Sequence, residues 1–180
     1  LLVKHDANGN LDWAVDYDVA QGAHRSDDNV TDMVLDGDGN AYVGGIQYKV
    51  IDSVQSYGSF LMKFDRYGDV VWAKEVSPQN DLREVELVND KLYITGHSTQ
   101  VFDLDGQLLL QIDHADSKAW DVEVDEFGSI YVAGHRTVSK YSESGDFIWQ
   151  VEMPGGLTGW AALLVNGDGS VVAAHKILET

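Results

Sequence analysis

The sequence contains no cysteine and only two prolines. The first absence excludes a disulfide framework, a thiolate zinc site and a cysteine nucleophile. Positive charge is also scarce: twelve basic residues stand against thirty acidic ones, a formal net charge of −18. Such a field repels phosphate backbones and anionic lipid headgroups, so nucleic acid is not an expected partner. No apolar run approaches the roughly 18 residues of a membrane-spanning helix, and no membrane insertion is expected. Local catalytic signatures are missing as well. There is no Gly-x-Ser-x-Gly elbow, no phosphate-cradling loop ending in Lys-Ser or Lys-Thr, and no His-Glu-x-x-His segment.

What is present is a length of 180 residues with 44% hydrophobic and 10% aromatic content, enough for one domain with a core, and 18 glycines that mark many turns. The pattern repeats. One phrase places an Asp- or Ser-led turn and a Gly before an alternating run with an aromatic four residues past the Gly. Its copies run from Lys4 through Gly9 to Trp13, from Lys63 through Gly68 to Trp72, and from Lys140 through Gly145 to Trp149. In a further copy, around Gly106, Leu110 takes the aromatic position. The second phrase is an alternating run, a short polar turn, then Tyr-apolar-small-Gly. It spans Met33 to Gly45, Val85 to Gly96 and Val122 to Gly134, with a weaker copy from Leu163 to His175.

Each phrase reads as a β-hairpin, because two period-2 runs flank a turn of two to four residues. The Asn89-Asp90 copy lacks Gly and predicts a shorter turn. Two hairpins make a four-stranded antiparallel sheet, and such sheets repeated along a chain predict an all-β propeller. Counting strands gives half-blade 1–17, blades 30–76, 82–113 and 119–152, and half-blade 160–177. The expected architecture is a single four-bladed domain over 1–180, with the N-terminal hairpin completing the last blade. The alternative is a segment of a larger propeller, which would leave half-blades as exposed edges and favour a dimer or a longer chain over a monomer.

The segments Asp36-Gly37-Asp38-Gly39-Asn40-Ala41-Tyr42-Val43-Gly44-Gly45 and Phe60 to Trp72 resemble the bacterial β-propeller repeat called SBBP. The Gly-x-x-x-Trp phrase is more weakly similar to pyrroloquinoline-quinone-type propeller repeats, whose enzymes have many more blades. The first resemblance implies a secreted or cell-surface bacterial protein and leaves the activity open.

In four-stranded blades the turns after second and fourth strands share one face. That face would receive long loops at 18–29 and 46–58 and the residues His24, Tyr48, Asp52, Tyr57, His97, His114, Trp120, His135 and Trp160. His97 and His135 follow Gly96 and Gly134 at the same repeat position. Imidazoles there could serve as metal ligands or proton carriers, and indoles as apolar platforms; scattered surface His and packed Trp are the plainer reading. Carboxylates recur on first strands, at Asp32, Glu84, Glu86, Asp121 and Glu123. Asp32, Glu84 and Asp121 are the candidate metal ligands, and calcium is the cation suited to such hard oxygen donors. The Asp-rich turns at 36–40 and 166–169 lack the acidic twelfth position of a helix-flanked calcium loop and read as hairpin turns.

The expected function is a non-catalytic binding or scaffold module that recognises a protein or glycan through one loop face. The alternatives are a metal-assisted polysaccharide lyase or hydrolase, and a structural segment of a larger propeller.

Overall fold

The computed structural model describes residues 1–18, 25–79, 81–114, 118–153 and 161–175, and every regular element among them is a β-strand. Two compact units divide the chain, Leu1–Asn80 and Asp81–Thr180. In the first, β1 (Leu2–His5) and β2 (Leu11–Val15) form a two-stranded sheet, while β3 (Arg25–Leu35), β4 (Ala41–Ile51), β5 (Val54–Phe64) and β6 (Val70–Ser77) form a four-stranded meander. The second unit holds two further meanders. One comprises β7 (Glu84–Val88), β8 (Lys91–Thr95), β9 (Ser98–Asp103) and β10 (Leu108–Asp113); the other comprises β11 (Ala119–Val124), β12 (Ile130–Gly134), β13 (Thr137–Tyr141) and β14 (Phe147–Glu152). A last pair, β15 (Ala161–Val165) and β16 (Val171–His175), makes a second two-stranded sheet. Every pairing is antiparallel between strands consecutive in sequence.

The first meander departs from the sequence expectation. Its β4 and β5 run eleven residues each and meet at a two-residue turn, Asp52-Ser53, both at positive φ (49° and 66°). The segment 46–58, expected as a loop, is therefore a strand extension, and β3 begins at Arg25 to pair with it through Val50. The alternation of apolar and polar residues simply continues past Gly45, and nothing in it stops the ladder.

Seven of the remaining hairpins share one turn. At Gly9, Gly39, Gly68, Gly106, Gly128, Gly145 and Gly169 the φ lies between 76° and 90°, and each glycine N–H donates to the carbonyl three residues earlier. The leading Asp adds a second tie: the Asp36 carboxylate accepts the Asp38 and Asn40 amides at 3.0 and 2.9 Å, and the Asp125 carboxylate accepts those of Phe127 and Ser129. These bonds occupy the carboxylates as turn staples, as the hairpin reading of the Asp-rich segments requires. The Asn89-Asp90 turn has two residues, both at positive φ.

The second strands of the two meanders in the second unit are buried on both faces. β12 is buried at every position and β8 at four of five, whereas the outermost β14 is exposed at five of six. Two-sided burial explains why the Tyr-apolar-small-Gly segments read as near-continuous apolar runs. The core consequently lies between sheets. Val101 and Ile112 pack with Ala119, Val122, Ile130 and Tyr141, joining the β7–β10 sheet to the β11–β14 sheet. Tyr131, Ala133, Val138 and Met153 pack with Leu163 of β15. In the first unit, Leu2 and Val15 pack against Val43, Phe60, Met62 and Phe64.

The Gly-x-x-x-Trp spacing has a structural cause. Trp13 of β2 lies against Gly68, the turn glycine of the β5–β6 hairpin, and its Nε1–H donates to the Arg66 carbonyl at 2.9 Å. A Cβ on Gly68 would stand 2.9 Å from the Trp13 ring. The aromatic of one sheet thus needs the bare glycine of the next. Gly68→Ala, strained at φ +90° and crowded by the indole, is expected to cost about 1–3 kcal/mol in urea unfolding. Gly37→Ala, with open space around it, should change stability by less than about 0.5 kcal/mol; equal effects would show that the Trp13 contact does not set the spacing.

Candidate functional site

The residues expected to share one face fall into three groups. In the first unit, Tyr48 and Tyr57 are directly paired across β4 and β5, and their rings stand 5.1 Å apart at 46°. Tyr57 is half exposed. Asp52 occupies the tip of the same hairpin. Beneath the tyrosines, Glu75 of β6 accepts from the Gln47 amide at 3.2 Å and from the Lys49 ammonium at 3.0 Å. That brace holds the extension against β6 and was not foreseen from the sequence, because Gln47, Lys49 and Glu75 sit on strands that the loop reading did not bring together.

In the second unit, His97 and His135 occupy equivalent turns, between β8 and β9 and between β12 and β13. His97 is exposed, with Nδ1 3.7 Å from the buried carboxylate of Asp81. His114, at the end of β10, shares a hydrogen bond of 2.9 Å between Nε2 and Thr99 Oγ1, and its ring lies 6.3 Å from that of Tyr141. Trp120 is half-buried, and the Arg83 guanidinium covers its ring at 4.8 Å. The indole is therefore engaged by a cation rather than presented as an open platform. His24 and Trp160 lie outside the described residues.

The candidate metal ligands resolve into a different arrangement. By strand register, Asp32, Glu84 and Asp121 are equivalent, two positions before the residues paired with Tyr42, Tyr93 and Tyr131. Glu84 of β7 accepts the Val122 amide of β11 at 2.7 Å, and Asp121 of β11 accepts the Leu163 amide of β15. Each carboxylate thus satisfies a backbone N–H on the next sheet. Asp32 belongs to the first unit and holds the corresponding place on β3. Among the described residues no group of three or more His, Asp or Glu is arranged to hold a metal ion. Glu84 and Asp121 are brought side by side, but as inter-sheet acceptors.

Crowding perturbs these acids. Burial, then a hydrogen bond and charge repulsion from Asp121, push the Glu84 carboxyl up to about 9. Burial, then the charges of Glu123 and Asp121, push Glu86 up to about 8, and burial raises Glu123 as well. Glu84 therefore keeps its proton at neutral pH. A group whose folded pKa is raised keeps a proton that the unfolded chain releases above its ordinary value of 4.5. Its stabilising effect is complete below that value and is lost as pH rises through the folded pKa. The melting temperature is thus expected to fall between about pH 5 and pH 9. Glu84→Gln with Glu86→Gln preserves an acceptor for the Val122 amide and should remove most of that slope; an unchanged profile by scanning calorimetry would contradict the assignment.

A comparable polar tie anchors the second strands. Tyr131 donates to Asp125 at 3.0 Å and accepts from Lys140 at 2.6 Å, while Tyr42 donates to Asp36 at 3.2 Å beneath Lys63, which lies 5.1 Å from the Tyr42 ring centre. The hydrogen bond to Tyr131 raises the Lys140 pKa, so the amine stays charged and is unsuited to act as a base or nucleophile.

No protein-family model matches the chain, and no curated protein matches it. Solved structures do. The Pan2 WD40 domain of Neurospora crassa aligns with a TM-score of 0.63 at 15% identity, over 88% of this chain and 46% of that one. A protein of unknown function from Bacteroides caccae gives 0.58 at 14% identity, over 92% of this chain and 60% of that one. A gluconolactonase from Xanthomonas campestris gives 0.55 at 15%, over 91% and 57%. The chain spans about half to three fifths of the length of these structures. At such identities the likeness speaks for architecture alone, and with the repeated four-stranded meanders it identifies the fold as a β-propeller type.

Proposed function

We propose that this chain is a non-catalytic binding module, recognising a protein or glycan ligand through the projecting β4–β5 hairpin of the first unit. The observation that carries the reading is the paired Tyr48 and Tyr57 on a strand extension that the other meanders lack. Paired tyrosines on a braced hairpin offer a large, amphipathic contact area with little rotamer entropy to lose. The Gln47–Glu75–Lys49 brace fixes that surface before a ligand arrives. The histidines of the second unit offer no comparable constellation: His97 faces Asp81 in its turn and His114, at the end of β10, is tied to Thr99. One structural neighbour is a gluconolactonase, and a hydrolytic role remains the competing reading, with the carboxylates of β7 and β11 as its candidate groups.

The resemblance to SBBP repeats supports placing the module outside the cell or on its surface, and a monomeric state is proposed with it. Both belong to the proposal. Its test is binding of the intact chain to a glycan array and to a displayed peptide library. Tyr57→Ala is expected to weaken any selected ligand at least tenfold, while the melting temperature shifts by no more than about 2 °C, because a half-exposed side chain carries little of the core. Selected ligands that bind Tyr57→Ala and Tyr48→Ala as well as the parent chain would overturn it, as would calcium-dependent turnover of a polysaccharide.

A further inference from the structure

Three cross-strand pairs in the outer hairpins match a lysine with a tryptophan: Lys4 with Trp13, Lys63 with Trp72, and Lys140 with Trp149. At the same register, β9 and β10 pair Val101 with Leu110. Both partners have changed together in one sheet. The change strips the neighbouring tyrosine of its company. Tyr42 has the Trp72 ring at 6.1 Å and Tyr131 has the Trp149 ring at 6.1 Å, with Lys63 and Lys140 over the respective faces. Tyr93, the equivalent residue of β8, faces Val101 and Leu110 instead.

The contact with the next sheet is altered in the same way. Leu110 lies against Gly145 as Trp13 lies against Gly68, and a Cβ on Gly145 would stand 2.8 Å from the Leu110 methyl. Glu143 occupies the turn position of Arg66, whose carbonyl takes the Trp13 ring N–H. Leucine has no N–H to offer. Where an indole would fill the junction, the structure has an open cleft of about 490 Å³ lined by Tyr93, Val101, Leu110, Glu143 and Ser144, with Lys91 at its rim paired to Glu143 at 2.8 Å. β10 is the outermost strand of its sheet, so the cleft opens where an extended segment has room to approach.

We propose that this cleft is a binding site for an indole group, the tryptophan side chain of a partner polypeptide, seated between Tyr93 and the Glu143–Gly145 turn with its ring N–H donated to the Glu143 carbonyl. The chain itself defines the chemistry, since Trp13 shows the contacts an indole makes with a turn glycine and a turn carbonyl, and Trp72 and Trp149 show those it makes with a tyrosine. The site is separate from the β4–β5 hairpin and does not depend on it.

The test is amide chemical-shift mapping of the whole chain with N-acetyl-tryptophanamide as the probe. Saturable shifts are expected at Tyr93, Leu109, Leu110 and Ser144. N-acetyl-leucinamide should produce none, and the N1-methylated indole should bind at least threefold more weakly for want of the N–H. Leu110→Trp should fill the cleft, weaken the probe at least tenfold and melt no lower than the parent chain. Leu109→Glu, at a half-exposed rim position, gives an independent block without touching the core. Absence of saturation at millimolar probe, shifts mapping elsewhere, equal binding of the leucine analogue, or unchanged binding in either folded variant would overturn the proposal.

Discussion

A sheet whose inner strands are apolar on both faces must be covered on both, and this requirement organises the structure. β8 and β12 have no solvent side to offer, so their stability is shared with neighbouring sheets, and the hydrophobic term acts between repeats more than within them. Val122 and Ile130 of one sheet meet Val101 and Ile112 of another, and Leu163 of β15 closes over Tyr131 and Val138. The outer strands carry little of this burden, and β14 leaves Phe147, Ile148 and Val151 at the surface. The tight turns follow from the same constraint, because strands of five or six residues between buried faces leave room for only the shortest reversals.

Close approach of sheets makes the backbone itself an interface, which is why a bare glycine and a buried carboxylate recur at the joints. Gly68 and Gly145 admit the side chain of the preceding sheet, and Glu84 and Asp121 satisfy amides that the approach removes from water. The acids are crowded in consequence, and the proton that Glu84 keeps is the result of burying a carboxyl beside a second one, Asp121, in a confined place.

The strand order was largely legible, since turn glycines and period-2 alternation are local signals. The sixteen strands among the described residues, the seven alike glycine turns and the tighter Asn89-Asp90 turn follow from them. The β4–β5 extension was not, because polar residues such as Lys49, Gln55 and Ser56 are as common in loops as in exposed ladders; the pairing of β4 with β3 and β5 and the brace to Glu75 separate the two. The carboxylates of β7 and β11 were visible as a recurrence, but their task was hidden, since a backbone amide on another sheet leaves no mark in composition. Leu110 is the opposite case. Its departure from the tryptophan of the other copies stands plainly in the sequence, and the space it leaves appears only once Gly145 and Tyr93 are set beside it.

The row of inter-sheet carboxylates also has a direction. Each acceptor belongs to the earlier sheet and each amide to the later one, from Glu84 to Val122 and from Asp121 to Leu163. On β15 the corresponding register position is Ala162, opposite Ala174, and an alanine can accept nothing. The fastening is a zipper whose teeth all point one way and whose last tooth is blank. The carboxylate fastening made by Glu84 and Asp121 therefore stops at β15, which carries no side-chain acceptor at that register position.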